Sequence, residues 1–293
     1  MKTAPDGAVL YYMSKNTTIT NTRCLVQACE RLGIPFVIHD SHDNFVEVSL
    51  ARPFFFTNTT TPFNAGSVGK ICRDKEFSYR LLKGAVVMPK TKGYFNPLVE
   101  SSSGLKYVSI PTIGEIVADI AGNFSLPVII KRNAGSLGNN VFLCQDRAEI
   151  ETALRTIYAK NNHYDYVALA QAFVPSSVEY RVVIFGGELV FAYEKSIEGA
   201  EFTGNLSPLH YDKARAIPVK DERTLSELNA FIKPLFGRFP VEYAGLDIVR
   251  GHDGQLCLIE VNGHPGFSRF VQDNGDEEVV RLYEIMLKKL ASR

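Results

Sequence analysis

Gly245-Leu246-Asp247-Ile248-Val249-Arg250, a turn at Asp253-Gly254, and then Leu258-Ile259-Glu260-Val261-Asn262-Gly263 form the stretch that decides the fold. Asp-Gly favours positive φ, so the two apolar runs read as a hairpin. A turn centred on Asp253-Gly254 sets Asp247 opposite Glu260 with Cβ atoms about 5 Å apart, and Asn262 shares their face because strand side chains repeat every two residues. Like charges facing each other destabilise a sheet unless something compensates them. Hard cations such as Mg2+ take oxygen ligands from one or two carboxylates plus phosphates and water. The hairpin therefore reads as a metal-binding face, with a solvent-facing acidic pair as the competing interpretation.

A second hairpin turns at Gly186-Gly187, between Arg181 to Phe185 and Leu189 to Tyr193. A centred turn pairs Arg181 with Ala192 and puts Glu194 on its face; Lys195 reaches that face only through a bulge. Upstream, Pro127-Val128-Ile129-Ile130-Lys131 ends an apolar strand in a lysine, and Arg132 to Asn140 follows with Gly135-Ser136 and Gly138. Such a loop can offer backbone N–H groups to phosphate oxygens while the lysine supplies a point charge, although many plain hairpins share this make-up.

Around these segments, Ile113 to Ala121 and Ala148 to Lys160 read as helices, and Val128 to Lys131, Val141 to Cys144 and Tyr166 to Phe173 as strands, giving an α+β lobe. At the N-terminus, Val9 to Tyr12, the helix Thr22 to Leu32 ended by Gly33, and Pro35 to Ile38 make a β-α-β unit. Pro53 to Phe56 is a further apolar run, Thr57 to Gly69 is rich in turn residues, and Asp74 to Leu82 is a short helix. A linker carries Pro89, Gly93, Pro97 and Ser101 to Gly104. Helices are expected over Leu225 to Phe236 and Asp276 to Leu290, the latter with a core stripe of Val279, Leu282, Met286 and Leu290. The predicted units are residues 1–104, 105–174 and 175–293.

Of the 293 residues 45% are apolar, enough for a large core, and 32 basic residues balance 32 acidic ones. No global basic field exists to hold nucleic acid or an anionic membrane, so any anion site must be local. No apolar run approaches the roughly 20 residues of a bilayer span, and the first residues lack a signal-peptide core. The expected location is the cytoplasm. The five cysteines are scattered with no C-x-x-C pair, which suggests reduced thiols, and the histidines lack zinc spacing. Gly66-Ser67-Val68-Gly69-Lys70 resembles a phosphate loop, but Asn64 and Ile71 break that pattern, so it reads as a turn. Neither G-x-G-x-x-G after the first strand nor G-x-S-x-G is present.

Taken in order, Pro127 to Lys131, Gly135-Ser136-Leu137-Gly138, Gln171-Ala172-Phe173-Val174, Glu179-Tyr180-Arg181, Gly245 to Ile248 and Glu260 to Gly266 resemble the ATP-grasp superfamily, and within it the RimK-type carboxylate–amine ligases. The resemblance implies an ATP-grasp fold of α+β lobes, with an N-terminal β-α-β domain and a nucleotide cleft between the lobes. It implies that Lys75, Lys131 and the Ser136 loop contact nucleotide phosphates, that Gln171, Ala172, Phe173 and Val174 border adenine, and that Glu179 binds ribose. Arg181 then serves the transferred phosphate, Lys195 and Asn205 join it as catalytic residues, and Asp247, Glu260 and Asn262 ligate one or two Mg2+ ions, for which Mn2+ can substitute. The loop from Ser136 to Asn140 departs from the family in lacking a basic residue, Lys195 replaces a family arginine, and His264 stands where a smaller polar residue is usual.

The implied activity is an ADP-forming ligation of a small carboxylate to an amine, such as an amino acid or peptide, through an acyl phosphate. Thr203, Asn205, His210, Lys213 and Arg215, with His264 and Arg269, suggest an anionic substrate. No nucleic-acid or membrane partner is expected, and homo-oligomers occur among such relatives. A nucleotide-binding regulatory module and an ATP-grasp kinase are the alternatives.

Overall fold

The computed structural model describes residues 2–3, 9–10, 19–100, 102–135, 137–160 and 165–293. Strands β1 (Lys2–Thr3) and β2 (Val9–Leu10) pair with each other, and helix α1 (Thr20–Leu32) ends at Gly33, whose φ of 64° is the left-handed cap a glycine supplies. Then β3 (Phe36–Ile38), β4 (Phe45–Ser49) and β5 (Pro53–Thr57) form an antiparallel sheet in that order. The expected β-α-β unit is corrected here. Its strand–helix–strand order is present, but the strand after the helix pairs with β4 and not with Val9–Leu10. Tyr11 and Tyr12 lie outside the described residues.

Two further differences concern the segment before residue 104. Gly66-Ser67-Val68-Gly69-Lys70 opens helix α2 (Gly66–Arg73), not a turn. Its glycines lower helix propensity, but Val68 and Cys72, one turn apart, are buried in the C-terminal core and hold it. Helix α3 (Lys75–Leu82) follows at once, capped by Asp74, whose carboxylate accepts from Phe77 N at 2.9 Å. The expected linker contains β6 (Thr91–Phe95), a strand hydrogen-bonded along β9 (Val167–Ala172). Residues 91–95 thus belong to the central sheet, ordered β6-β9-β7-β8 with β7 (Val128–Arg132) and β8 (Val141–Cys144).

After the one-turn α4 (Ser102–Leu105), α5 (Ile113–Asn123) and α6 (Arg147–Tyr158) cover one face of that sheet. Thr112 and Asp146 cap them, each accepting from the amide of a glutamate three residues on. The opposite face, carrying Lys131 and Gln171, is left for the cleft.

The C-terminal sheet is antiparallel, ordered β12-β11-β10-β13-β14, from β10 (Ser176–Phe185), β11 (Glu188–Ser196), β12 (Arg215–Pro218), β13 (Tyr243–Gly251) and β14 (Leu256–Asn262). Alternation splits its side chains. Val182, Ile184, Ala244, Leu246 and Val261 face α7 (Glu222–Phe236) and the α2–α3 pair. On the other face Val183, Phe185, Phe191 and Tyr243 join α8 (Ser268–Asn274), α9 (Glu277–Ala291) and the N-terminal elements in one core. Further along the same face Arg181 follows Val183 and Asp247 follows Gly245, and there the cleft begins. The five cysteines are free and buried, and burial raises their thiol pKa values well above the ordinary range.

Candidate active site

The metal-face hairpin holds the expected register for a reason the sequence did not show. Next to the turn the ladder is one step off centre, with Arg250 opposite Leu256 and Ile248 opposite Leu258. A bulge at Ile259 then restores Asp247 opposite Glu260 and Gly245 opposite Asn262. The two offsets cancel at the site. The Gly186-Gly187 hairpin starts centred, Phe185 opposite Glu188, but an extra residue at Val190 moves Arg181 opposite Tyr193. This is the bulge that Lys195 required: two residues beyond Tyr193, it shares the face of Arg181 and Asp247, which are themselves directly paired.

One charged network results. Arg181 grips Asp247 with Nε at 2.5 Å from Oδ1 and Nη2 at 3.1 Å from Oδ2. Lys195 Nζ lies 2.9 Å from Asp247 Oδ1 and 2.5 Å from Glu179 Oε1. Burial pushes the Asp247 carboxyl up, but Arg181 and Lys195 overcome it and hold the group well below the usual carboxylate range. Burial opposes the charge on Lys195, yet Asp247 and then Glu179 raise its pKa. Glycine is required at 245, because an added Cβ would stand 2.9 Å from Arg181 Cδ and 3.0 Å from Pro265 Cβ.

The facing wall comes from the central sheet and α3. Lys131 Nζ is buried and donates to Gln171 Oε1 at 2.8 Å, while Gln171 Nε2 donates to Thr91 Oγ1 at 3.0 Å. No carboxylate among the described residues forms an ion pair with Lys131. Burial lowers its pKa to about 8, with Glu260 opposing and Lys75 adding to the effect. Lys75 bridges the walls, donating to Gly135 O at 2.6 Å and lying 3.5 Å from Glu260 Oε1. Ala172 N–H is engaged by Lys90 O at 2.8 Å, Phe173 is exposed, and Val174 is half-buried beyond the strand end. Within Gln171–Val174, then, a side chain of Gln171 enters the cleft.

Asn205 lies on the loop after β11 and meets the glycine loop, its Nδ2 donating to Leu137 O at 2.9 Å. Gly138, at φ 67°, has no room for a Cβ beside Asn205 and Ser207, and Leu137 and Asn140 also have positive φ. Ser136 lies outside the described residues. Gly138→Ala is expected to strain this clasp by about 1 kcal/mol or more. Limited proteolysis should then cut within residues 133–140 faster than in the wild type.

Three residues with no recognised motif shape the site. Asn64 accepts from Glu242 N and Tyr243 N and donates to Tyr243 O at 2.6 Å, tying the segment before α2 to β13. Asn21 donates to Pro265 O at 3.1 Å and accepts from Phe267 N. Tyr211 stands close enough to Glu179 for burial, then that carboxylate, to raise its pKa. Isolated asparagines carry no spacing signal, so only tertiary structure finds them.

The model of the RimK-like ATP-grasp domain matches residues 109–285, more than half of the chain. The chain belongs to the RimK-like ATP-grasp family. It is 27% identical over 252 residues to a probable alpha-L-glutamate ligase of Aeromonas salmonicida (strain A449), covering 85% of this chain and 74% of that protein. It is 24% identical over 266 residues to the alpha-aminoadipate–LysW ligase LysX of Sulfurisphaera tokodaii, covering 89% and 84%. Among solved structures, the ATP-grasp ligase PsnB with a minimal precursor aligns at a TM-score of 0.50 and 15% identity over 78% of this chain. The chain spans 64% of PsnB's length, and that likeness bears on the fold.

ATP-grasp ligases use ATP with Mg2+, and the residues of this RimK-like chain fit both. A buried lysine whose one bond among the described residues is to an amide is costly unless an anion joins it, and Lys131 faces the cleft. Asp247, Glu260 and Asn262 offer hard oxygen donors on adjoining rungs of the ladder. Among the described residues no three acidic, His or Cys side chains group as a metal cage, and a Mg2+ ion held here would take part of its shell from phosphate oxygens and water.

Proposed function

We propose that this chain is an ATP-dependent, ADP-forming ligase that joins a small carboxylate to an amine through an acyl phosphate. The observation that supports it most is Lys131, a buried cation that no carboxylate among the described residues pairs, placed across the cleft from the Asp247–Glu260 rungs. Phosphoryl transfer depends on alignment and charge neutralisation more than on covalent help. Lys131 and Lys75 would hold the phosphate chain, and Arg181 would meet charge on the transferred group. Asp247, Glu260 and Asn262 would hold Mg2+, which when bound neutralises phosphate charge. The Gly138–Asn205 clasp would exclude water, which otherwise hydrolyses an acyl phosphate. Lys195 would keep Asp247 ionised and fixed.

Bond balance follows from this order: a carboxylate oxygen attacks the γ-phosphorus, ADP leaves, and an amine then displaces phosphate to form the amide. The test is ADP release with Mg–ATP and paired amino acids and dipeptides, beginning with glutamate and alpha-aminoadipate, after the relatives' names. The expected result is ADP formation that needs both a carboxylate and an amine, with a product whose mass equals their sum less water. A product heavier by a phosphoryl group supports a kinase instead, and nucleotide binding without turnover in any pair supports a regulatory module.

A further inference from the structure

Helix α3 joins the two walls of the cleft. Its far end is packed in the C-terminal core, where Leu82 is buried and Ser78 Oγ donates to Ile71 O at 2.7 Å. Its first turn meets the central sheet instead. The opening amides of a helix find no acceptor within the helix itself. Asp74 accepts from the third of them, Phe77 N, and Asn133 takes the two before it. The Asn133 Oδ1 accepts from Glu76 N at 3.0 Å, and its carbonyl accepts from Lys75 N at 3.5 Å. That carbonyl also accepts from Lys75 Nζ at 3.4 Å.

Asn133 is itself fixed in place. It is buried, its N–H donates to Val167 O at 3.1 Å, and the next amide, Ala134 N, donates to Asp165 Oδ2 at 2.9 Å. Gly135 O accepts from Lys75 Nζ at 2.6 Å, and a Cβ on Gly135 would stand 2.9 Å from Arg132 Cβ. The root of the glycine loop thus caps α3 from the opposite lobe and offers the Lys75 ammonium two carbonyls. Glu260 Oε1 lies 3.5 Å from that ammonium, against 2.5 Å and 2.9 Å for the carboxylate contacts of Lys195. A lysine–carboxylate pair free to close shortens to about 2.7–2.9 Å, so the carbonyls hold Lys75 back from Glu260. Carbonyl dipoles orient an ammonium without cancelling its charge. Lys75 keeps that charge for an incoming anion, and Glu260 keeps its lone pairs.

Resting on the ligase reading above, we propose that Asn133 is a positioning residue for Lys75: by capping α3 across the lobes it sets the ammonium between the glycine loop and Glu260, where the phosphate chain of the nucleotide would lie. Asn133 touches neither phosphate nor metal in this scheme and acts through the lysine alone. A tie that served only the fold would have the same effect whatever stood at position 75.

The test is a double-mutant cycle on Mg–AMPPNP affinity, measured by calorimetry in the wild type, Asn133→Ala, Lys75→Ala and the doubly substituted protein. Lys75→Ala is expected to weaken the nucleotide about tenfold and Asn133→Ala about fivefold, while the double variant binds within about twofold of Lys75→Ala. Asn133→Ser, whose hydroxyl can meet the freed Glu76 amide through water, replaces the alanine variant if that one fails to fold, and the same outcomes are expected of it. Either variant binding as tightly as the wild type, or weakening the nucleotide by the same factor with and without Lys75, overturns the role. A wild type that binds no Mg–AMPPNP overturns it as well. Ligation is scored separately, as ADP release with the substrate pairs above. An Asn133 effect that vanishes without Lys75, with no ADP from any pair, keeps the positioning role and sinks the ligase reading. An effect equal in both backgrounds, with ADP formed by the wild type, sinks the role and keeps the ligase.

Discussion

Lys131→Met is expected to abolish measurable Mg–AMPPNP binding while raising the melting temperature of the ligand-free protein. The charge on Lys131 is buried, and among the described residues its one hydrogen-bond partner is the neutral Gln171 amide, so the fold carries a cation that no described carboxylate pairs. The gap between its ordinary value of 10.5 and about 8 corresponds to roughly 3 kcal/mol, in part offset by leaving Gln171 Oε1 unpaired in the variant. The sign follows by linkage. The unfolded chain holds the Lys131 proton more tightly, so between about pH 8 and 10.5 it binds more protons than the folded chain. Wild-type stability at this residue is therefore lowest below pH 8 and recovers as pH rises through that window; Lys131→Met removes the dependence. Nucleotide affinity runs the other way, falling above about pH 8 as the lysine loses its charge. Denaturation midpoints and calorimetric titrations at pH 7 and 9.5 measure both. A variant that still binds Mg–AMPPNP, or that melts lower than the wild type, contradicts this role for Lys131.

Glu260→Gln is expected to cut ADP formation by about a thousandfold with little change in melting temperature. Its carboxylate is partly exposed and its one ion pair among the described residues is the 3.5 Å approach of Lys75, so the fold does not depend on it. Asp247 behaves differently. From sequence, alanine at either position is expected to stop turnover and leave the fold intact, and the structure corrects this for Asp247. Truncation there strands Arg181 as a buried cation and leaves Lys195 with Glu179 alone, a loss of about 3–5 kcal/mol. Asp247→Ala should therefore lose both activity and stability, and Glu260→Gln activity alone. Full ADP formation in Glu260→Gln would remove that residue from the metal face.

What the sequence could show divides along a physical line. Local alternation and turn chemistry marked both C-terminal hairpins, the lysine ending β7, and the helices with a continuous apolar stripe, because these depend on neighbours in the chain. Registers needed more. The bulges at Val190 and Ile259 leave no signature in composition, yet one brings Lys195 onto the site face and the other keeps Asp247 opposite Glu260. Helix α2 was hidden by two glycines that local propensity counts against, and β6 by the proline and glycine around it. Asn21 and Asn64 act over more than 170 positions of chain, beyond any pattern of spacing. The family likeness brought Glu179 in as a ribose ligand; its 2.5 Å contact with Lys195 shows that any such role begins from an ion pair.

The most direct measurement follows oxygen through the reaction. The carboxylate that best stimulates ADP release is labelled with 18O on both oxygens, turned over with Mg–ATP and an amine, and the released phosphate is examined by 31P NMR. An acyl phosphate requires one labelled oxygen in each phosphate, alongside ADP and an amide retaining the other. Unlabelled phosphate, or AMP with pyrophosphate, contradicts the chemistry assigned to this cleft.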